Sequence, residues 1–209
     1  MKLGLISAIL GDLSFEEMID FLAECGLECV EVACWPKGKA ERRYAGVSHI
    51  DVDTLDDEKC AHILDYCQKK GVEISSLAYY PNTMDPDVEK RTAYIEHLHK
   101  LIDASAKLGV NMITTFIGRD PKKTVSQNLE LVKEIWPPIL DHAKEKGVKV
   151  AIENCPMLFT EDEWPGGQNL MTTPAIWRQV FEILDYDNFG INYDPSHFIW
   201  QQVDYIRPL

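Results

Sequence analysis

The chain has 209 residues, enough for one large domain or, less readily, two small ones. A hydrophobic share of 45% and a charged share of 26% are those of an ordinary globular protein. The formal net charge of −13, with Lys and Arg scattered along the chain, excludes the basic face that duplex DNA or RNA requires, so no nucleic-acid partner is expected.

No apolar run approaches the ~20 residues of a membrane span, and no membrane partner is expected. Six cysteines (Cys25, Cys29, Cys34, Cys60, Cys67, Cys155) show no CxxC pair and read mainly as small core residues of a reducing compartment. Cys25 and Cys29 lack the second pair that a zinc knuckle needs. Leu3 to Leu10 faintly imitates a signal peptide, but Gly11-Asp-Leu-Ser14 leads straight into a helix, so the expected location is cytoplasmic.

In chain order, a first strand is expected over Lys2 to Ile9. Ser14 then caps a helix with Glu17 in the capping-box position, and Phe15, Met18, Ile19 and Leu22 form its buried stripe. A second strand runs from Cys29 to Trp35, and a polar loop from Pro36 to about Asp53 follows. The second helix spans about Asp56 to Lys70 with Cys60, Ile63, Leu64 and Cys67 inward; a third strand covers Val72 to Tyr79. Helix three, about Asp87 to Leu108, is striped by Tyr94, Ile95, Leu98, Leu101 and Ile102, and strand four covers Asn111 to Ile117. A fourth helix, about Val125 to Lys146, should kink or break at Pro137-Pro138, since a mid-helix proline costs about 3 kcal/mol. Strand five ends at Glu153. A loop from Pro156 to Thr172 leads to a helix starting near Pro174, and strand six ends at Asp194.

Four times a helix end, a glycine and an apolar strand follow one another, at Gly26, Gly71, Gly109 and Gly147; the last two intervals are both 38 residues. Each glycine suits the left-handed position that closes a helix. Six strands alternating with helices leave two architectures, a closed parallel barrel or an open doubly wound sheet. Ile9-Leu-Gly-Asp-Leu13 is no phosphate-binding fingerprint, which weakens the dinucleotide-binding version.

The chemistry concentrates late. Val148-Lys-Val-Ala-Ile-Glu153-Asn154 and Phe189-Gly-Ile-Asn-Tyr-Asp194-Pro-Ser-His197 are buried-strand patterns that each end in an acid. A carboxylate there is costly by several kcal/mol unless it is paired. A cation between Glu153 and Asp194 is one answer. Capping of the following helices, or salt bridges to neighbouring strands, is the other. His197, three residues after Asp194, is either part of that site or a helix-cap or core histidine. Trp35 could wall a pocket against a sugar face or simply pack over a rim, and Tyr79 and Tyr80 carry the same two readings. Arg119 could clamp an anion or salt-bridge to Asp120. His49, His62, His97, His99 and His142 are expected to be mostly solvated.

Ile152-Glu153-Asn154 and Tyr193-Asp194-Pro195-Ser196-His197, in that order after five βα units, resemble the fifth-strand metal carboxylate and sixth-strand Asp-x-x-His of the xylose isomerase-like barrels. That group holds sugar phosphate isomerases and epimerases, ketose 3-epimerases, hydroxypyruvate isomerases and inosose dehydratases. The resemblance implies an α/β fold of the (β/α)8 TIM-barrel type, of which the chain carries about six of eight units. It would be a single domain over 1–209, incomplete at its C-terminus, with strands seven and eight missing. It implies one divalent metal ion, Mn or Mg foremost and Co or Zn as alternatives, held by Glu153 and Asp194. Glu153 and His197 would be catalytic, with His197, Trp35, Tyr79 and Arg119 contacting a sugar or polyol. The implied reaction is isomerisation or epimerisation by proton transfer beside a carbonyl through a metal-stabilised enediolate. An inosose-type dehydratase and an inactive sugar-binding module are the alternatives. The apurinic endonucleases of the same group need several strand-end histidines, where this chain has Trp35, Tyr79 and Phe116. Glu161, Asp162 and Glu163 are candidate substitutes for an acid that some ketose epimerases carry after strand five. An assembly of identical chains remains open.

Overall fold

The computed structural model describes residues 1–38, 45–157 and 167–208; Glu161, Asp162 and Glu163 lie outside the described residues. Six strands, β1 (Gly4–Ile6), β2 (Cys29–Ala33), β3 (Glu73–Ala78), β4 (Met112–Thr115), β5 (Lys149–Glu153) and β6 (Phe189–Asn192), alternate with helices α1 (Phe15–Glu24), α2 (Asp57–Lys70), α3 (Val88–Lys107), α4 (Val125–Glu145), α5 (Pro174–Ile183) and α6 (Ser196–Trp200). The strands follow one another in sequence order within one sheet, and β1–β2, β2–β3 and β5–β6 pair in parallel. This is the α/β alternation expected from the sequence. No helix among the described residues is long and apolar enough to cross a membrane.

Two compact units divide the chain. The first comprises Met1–Tyr79, His97–Ile113 and Lys146–Val148; the second comprises Tyr80–Glu96, Thr114–Glu145 and Lys149–Leu209. In the first, Met18, Ile19 and Leu22 of α1, Val30 and Val32 of β2 and Leu77 of β3 are fully buried. The Ser14 side chain accepts from the Glu17 amide while the Glu17 carboxylate accepts from the Ser14 amide, the expected capping box. Gly26, Gly71, Gly109 and Gly147 all have φ between 68° and 71°. A Cβ at any of the four would meet nothing within 4 Å, so the requirement is conformational rather than steric.

Several expectations are corrected here. Strand one is only three residues long and passes into a 3-10 helix over Ser7–Leu10. The buried Ser7 hydroxyl accepts from the Ala33 amide at 2.8 Å, so a side chain replaces the ladder carbonyl and releases the backbone to turn. On α2, Leu64 is exposed rather than inward. His97 is not solvated but buried; it donates from Nε2 to the Cys34 carbonyl at 2.8 Å and stacks edge-on with Tyr79. Pro137 and Pro138 do not break α4, which runs unbroken through both. Seven residues of that helix are buried, Trp136 and Leu140 completely, and burying large apolar side chains at about 1.5–3 kcal/mol each offsets the prolines.

Candidate metal centre

The second unit builds a polar cluster from the ends of β5 and β6. These strands pair with Val150 opposite Phe189 and Glu153 opposite Asn192. Beyond them, the fully buried side chain of Asn154 forms a reciprocal pair with the Asp194 backbone. Its amide donates to the Asp194 carbonyl at 2.9 Å, and its oxygen accepts from the Asp194 N–H at 2.7 Å. One carboxamide thus satisfies both backbone groups and fixes where Asp194 leaves the sheet.

The Asp194 carboxylate accepts from the Ser196 amide at 2.8 Å, opening α6. That turn presents His197, while Phe198 goes inward and stacks on Trp177 at 5.3 Å. The Trp177 indole donates to the Met171 carbonyl at 2.7 Å, anchoring α5 beneath. His197 is therefore placed by a buried aromatic cluster.

His197 Nε2 lies 3.1 Å from Glu153 Oε1 and 3.3 Å from Asp194 Oδ2. Burial disfavours a charged imidazole. The Cys155 sulfur and the Glu153 and Asp194 carboxylates outweigh that, and His197 is pushed up to about 10. The imidazolium is the cation that both strand-end acids meet. The N-cap of α6 is Pro195, without a side-chain cap bond, so the Ser196 contact of Asp194 is a turn ahead of the helix and not the capping offered as the alternative.

Cys155 is the participant that the sequence reading missed. Glu153, Cys155 and His197 each offer a donor atom, all within 4.8 Å of one another. The spacing Glu-x-Cys after a strand-end acid was the available signal. Asn169 was also missed: fully buried, it donates to the Glu153 carbonyl at 2.8 Å and the Cys155 carbonyl at 2.7 Å, and accepts from the Ile117 amide at 3.2 Å. It ties the segment bearing Glu153 and Cys155 to the end of β4. Gly167 closes the same segment, because a Cβ there would sit 1.8 Å from the Pro156 carbonyl oxygen.

Carboxylate, thiol and imidazole donors converging in one half-buried cluster fit a divalent metal ion. Glu153, Cys155 and His197 are the residues that could hold it, and Asp194 borders them through its 3.3 Å contact with His197.

The remaining candidates lie elsewhere or are held differently. Arg119 is in the second unit. Its backbone N–H and carbonyl are both bonded to the Asn82 side chain, at 2.8 Å each, and its buried Nε has no hydrogen-bond partner among the described residues. Burial pulls the guanidinium below its ordinary pKa. Asp120 accepts from the Lys122 amide at 3.0 Å and lies 3.7 Å from Lys123 Nζ. Tyr80, also in this unit, accepts from the Asn192 amide at 3.2 Å. Trp35 and Tyr79 belong to the first unit, where their rings meet edge-on at 5.9 Å.

Comparison with known proteins finds solved structures of similar fold. The chain is similar to the probable 3-DHS dehydratase AsbF of Bacillus anthracis (19% identity, TM-score 0.75, covering 100% of this chain and 68% of that one). It is similar to the D-psicose 3-epimerase of Clostridium cellulolyticum H10 (18%, TM-score 0.67, 95% and 65%). It is also similar to the IOLI protein, solved with a bound zinc atom (17%, TM-score 0.69, 98% and 66%). The chain spans about two thirds of the length of these relatives. The profile described as xylose isomerase-like TIM barrel matches residues 19–208. The chain therefore belongs to the xylose isomerase-like TIM barrel family.

Proposed function

We propose that the protein is a metal-dependent sugar or sugar-phosphate isomerase or epimerase that moves a proton at the carbon beside a carbonyl. The observation that carries this reading is the meeting of Glu153 and Asp194, from neighbouring strand ends, at a single imidazole nitrogen. Two acids so placed draw positive charge: the His197 imidazolium supplies it here, and the similarity to a protein solved with zinc supports a metal ion that would take the place of that proton. A bound divalent ion supplies Lewis-acid polarisation of the substrate carbonyl.

The chain's own residues do the rest. Asp194, held by Asn154 and the Ser196 amide, is a fixed anionic ligand. Glu153 is both ligand and base, taking the proton beside the carbonyl; a positioned base contributes about 10²–10⁴ in rate. His197, beside the two acids, contacts a substrate oxygen. Arg119, with its unpartnered Nε, meets an anionic or hydroxyl group of the substrate. The chain gives six βα units of a barrel whose relatives are longer, so this proposal concerns the whole protein.

A dehydratase is the second reading, favoured by the likeness to the 3-DHS dehydratase; it uses the same base and expels water. Incubation with manganese and a panel of ketoses and inososes in deuterated water tests both. Metal-dependent uptake of deuterium beside the carbonyl, lost in Glu153→Gln, is expected. Exchange with loss of water marks the dehydratase. Sugar binding with no exchange under any metal contradicts the enzyme and leaves a binding module.

A further inference from the structure

We propose that Cys155 is a ligand of the ion at this site, and that the site is thereby suited to a thiophilic divalent ion, zinc or cobalt(II), over magnesium or manganese. The inference rests on the metal-site reading above and deepens it.

Among the described residues one group of ligating side chains gathers tightly enough to hold a metal, and Cys155 is in it with Glu153 and His197. The other five cysteines are placed differently. Cys34, Cys60 and Cys67 are buried, and burial pushes all three thiols up, Cys67 to about 11. Cys25 is exposed and Cys29 half-buried, and neither is in a ligating group. Cys155 is half-buried beside an imidazole and a carboxylate, with its carbonyl held by Asn169 and the following Pro156 closely approached by Gly167.

The spacing suits coordination. Bonds of about 2.0–2.3 Å to sulfur, nitrogen and oxygen place neighbouring donors on a tetrahedral ion about 3.6 Å apart. A cluster already within 4.8 Å closes on such an ion by side-chain rotation. Sulfur decides the preference, because magnesium and manganese select oxygen donors whereas zinc and cobalt(II) accept thiolate with carboxylate and imidazole. On binding, the Cys155 S–H proton and the ring proton of the ligating His197 nitrogen pass to solvent, and a sulfur and a nitrogen lone pair form the bonds to the ion.

The test is optical. Cobalt(II) is titrated into the chelator-treated full chain while thiolate-to-cobalt charge-transfer absorption in the near ultraviolet, visible d–d bands and bound cobalt by dialysis are followed together. A saturable charge-transfer band at one cobalt per chain is expected. It disappears in Cys155→Ser and survives in Cys25→Ser. Zinc affinity falls on the order of a hundredfold in Cys155→Ser, while manganese affinity stays within about twofold. Should Cys155→Ser fold poorly, peptide-mapped alkylation of the unaltered chain answers the same question: zinc protects Cys155 and magnesium does not. Bound cobalt with d–d bands but no charge-transfer band, a band that persists in Cys155→Ser, or no protection by zinc overturns the role of Cys155 and leaves the metal site standing. No cobalt binding at all overturns both.

Discussion

Replacing Asn169 with leucine, close to it in size but unable to hydrogen-bond, removes three bonds to backbone groups: the Ile117 N–H and the Glu153 and Cys155 carbonyls. Ile117 is fully buried, so its amide is left without water and costs about 1–3 kcal/mol. The two carbonyls belong to half-buried residues, and each loses the net value of a bond, about 1 kcal/mol. The sum is about 3–5 kcal/mol, a large part of the roughly 5–15 kcal/mol that holds a typical domain folded. With a urea m-value of about 2 kcal/mol/M, the unfolding midpoint falls by about 2 M. Urea denaturation followed by tryptophan fluorescence reads this directly. A midpoint shift below about 0.3 M would show that the loop after β5 is not held through Asn169, and the argument for a fixed Glu153–Cys155 segment would fail with it.

Gly71→Ala places a Cβ at φ 70° with no steric obstacle, so it should cost about 1–2 kcal/mol by thermal or urea unfolding; a neutral result would refute the left-handed helix stop. His97 is held below its ordinary pKa, first by burial, and is neutral in the fold. A depressed folded pKa means that its share of stability is present above the unfolded value of 6.5 and is lost as pH falls below it. Unfolding midpoints should drop as pH falls below 6.5, less steeply in His97→Gln; equal slopes would contradict the burial argument. Removing the reciprocal clamp with Asn154→Ala should weaken divalent-metal binding on the order of tenfold or more, since outer partners of ligands carry such effects. Unchanged binding, read by dialysis, would count against Asp194 as a ligand.

What the sequence carried was local and periodic. The Ser14–Glu17 capping box, the four glycine helix stops, the end of β5 at Glu153 and the start of α5 at Pro174 each depend on residues within a few positions, and each is present in the fold. What it hid depends on contacts between distant segments. Asn169 acts 16 and 14 residues from the carbonyls it holds and 52 from the amide, and no periodicity marks such a residue. Cys155 looked like one more small apolar side chain until the loop set it beside His197. His97 was grouped with histidines expected to be mostly solvated, yet the Cys34 carbonyl gives it a buried partner. Pro137 and Pro138 carried a real local penalty that tertiary burial on the same helix overrode.

The most direct test of the central claim is equilibrium dialysis of the chelator-treated chain against zinc and manganese, with Glu153→Gln and Asp194→Asn measured alongside. One ion per chain, with binding weakened by at least an order of magnitude in each variant, is the predicted result. Binding that both variants retain in full, or no stoichiometric binding to the unaltered chain, would contradict it.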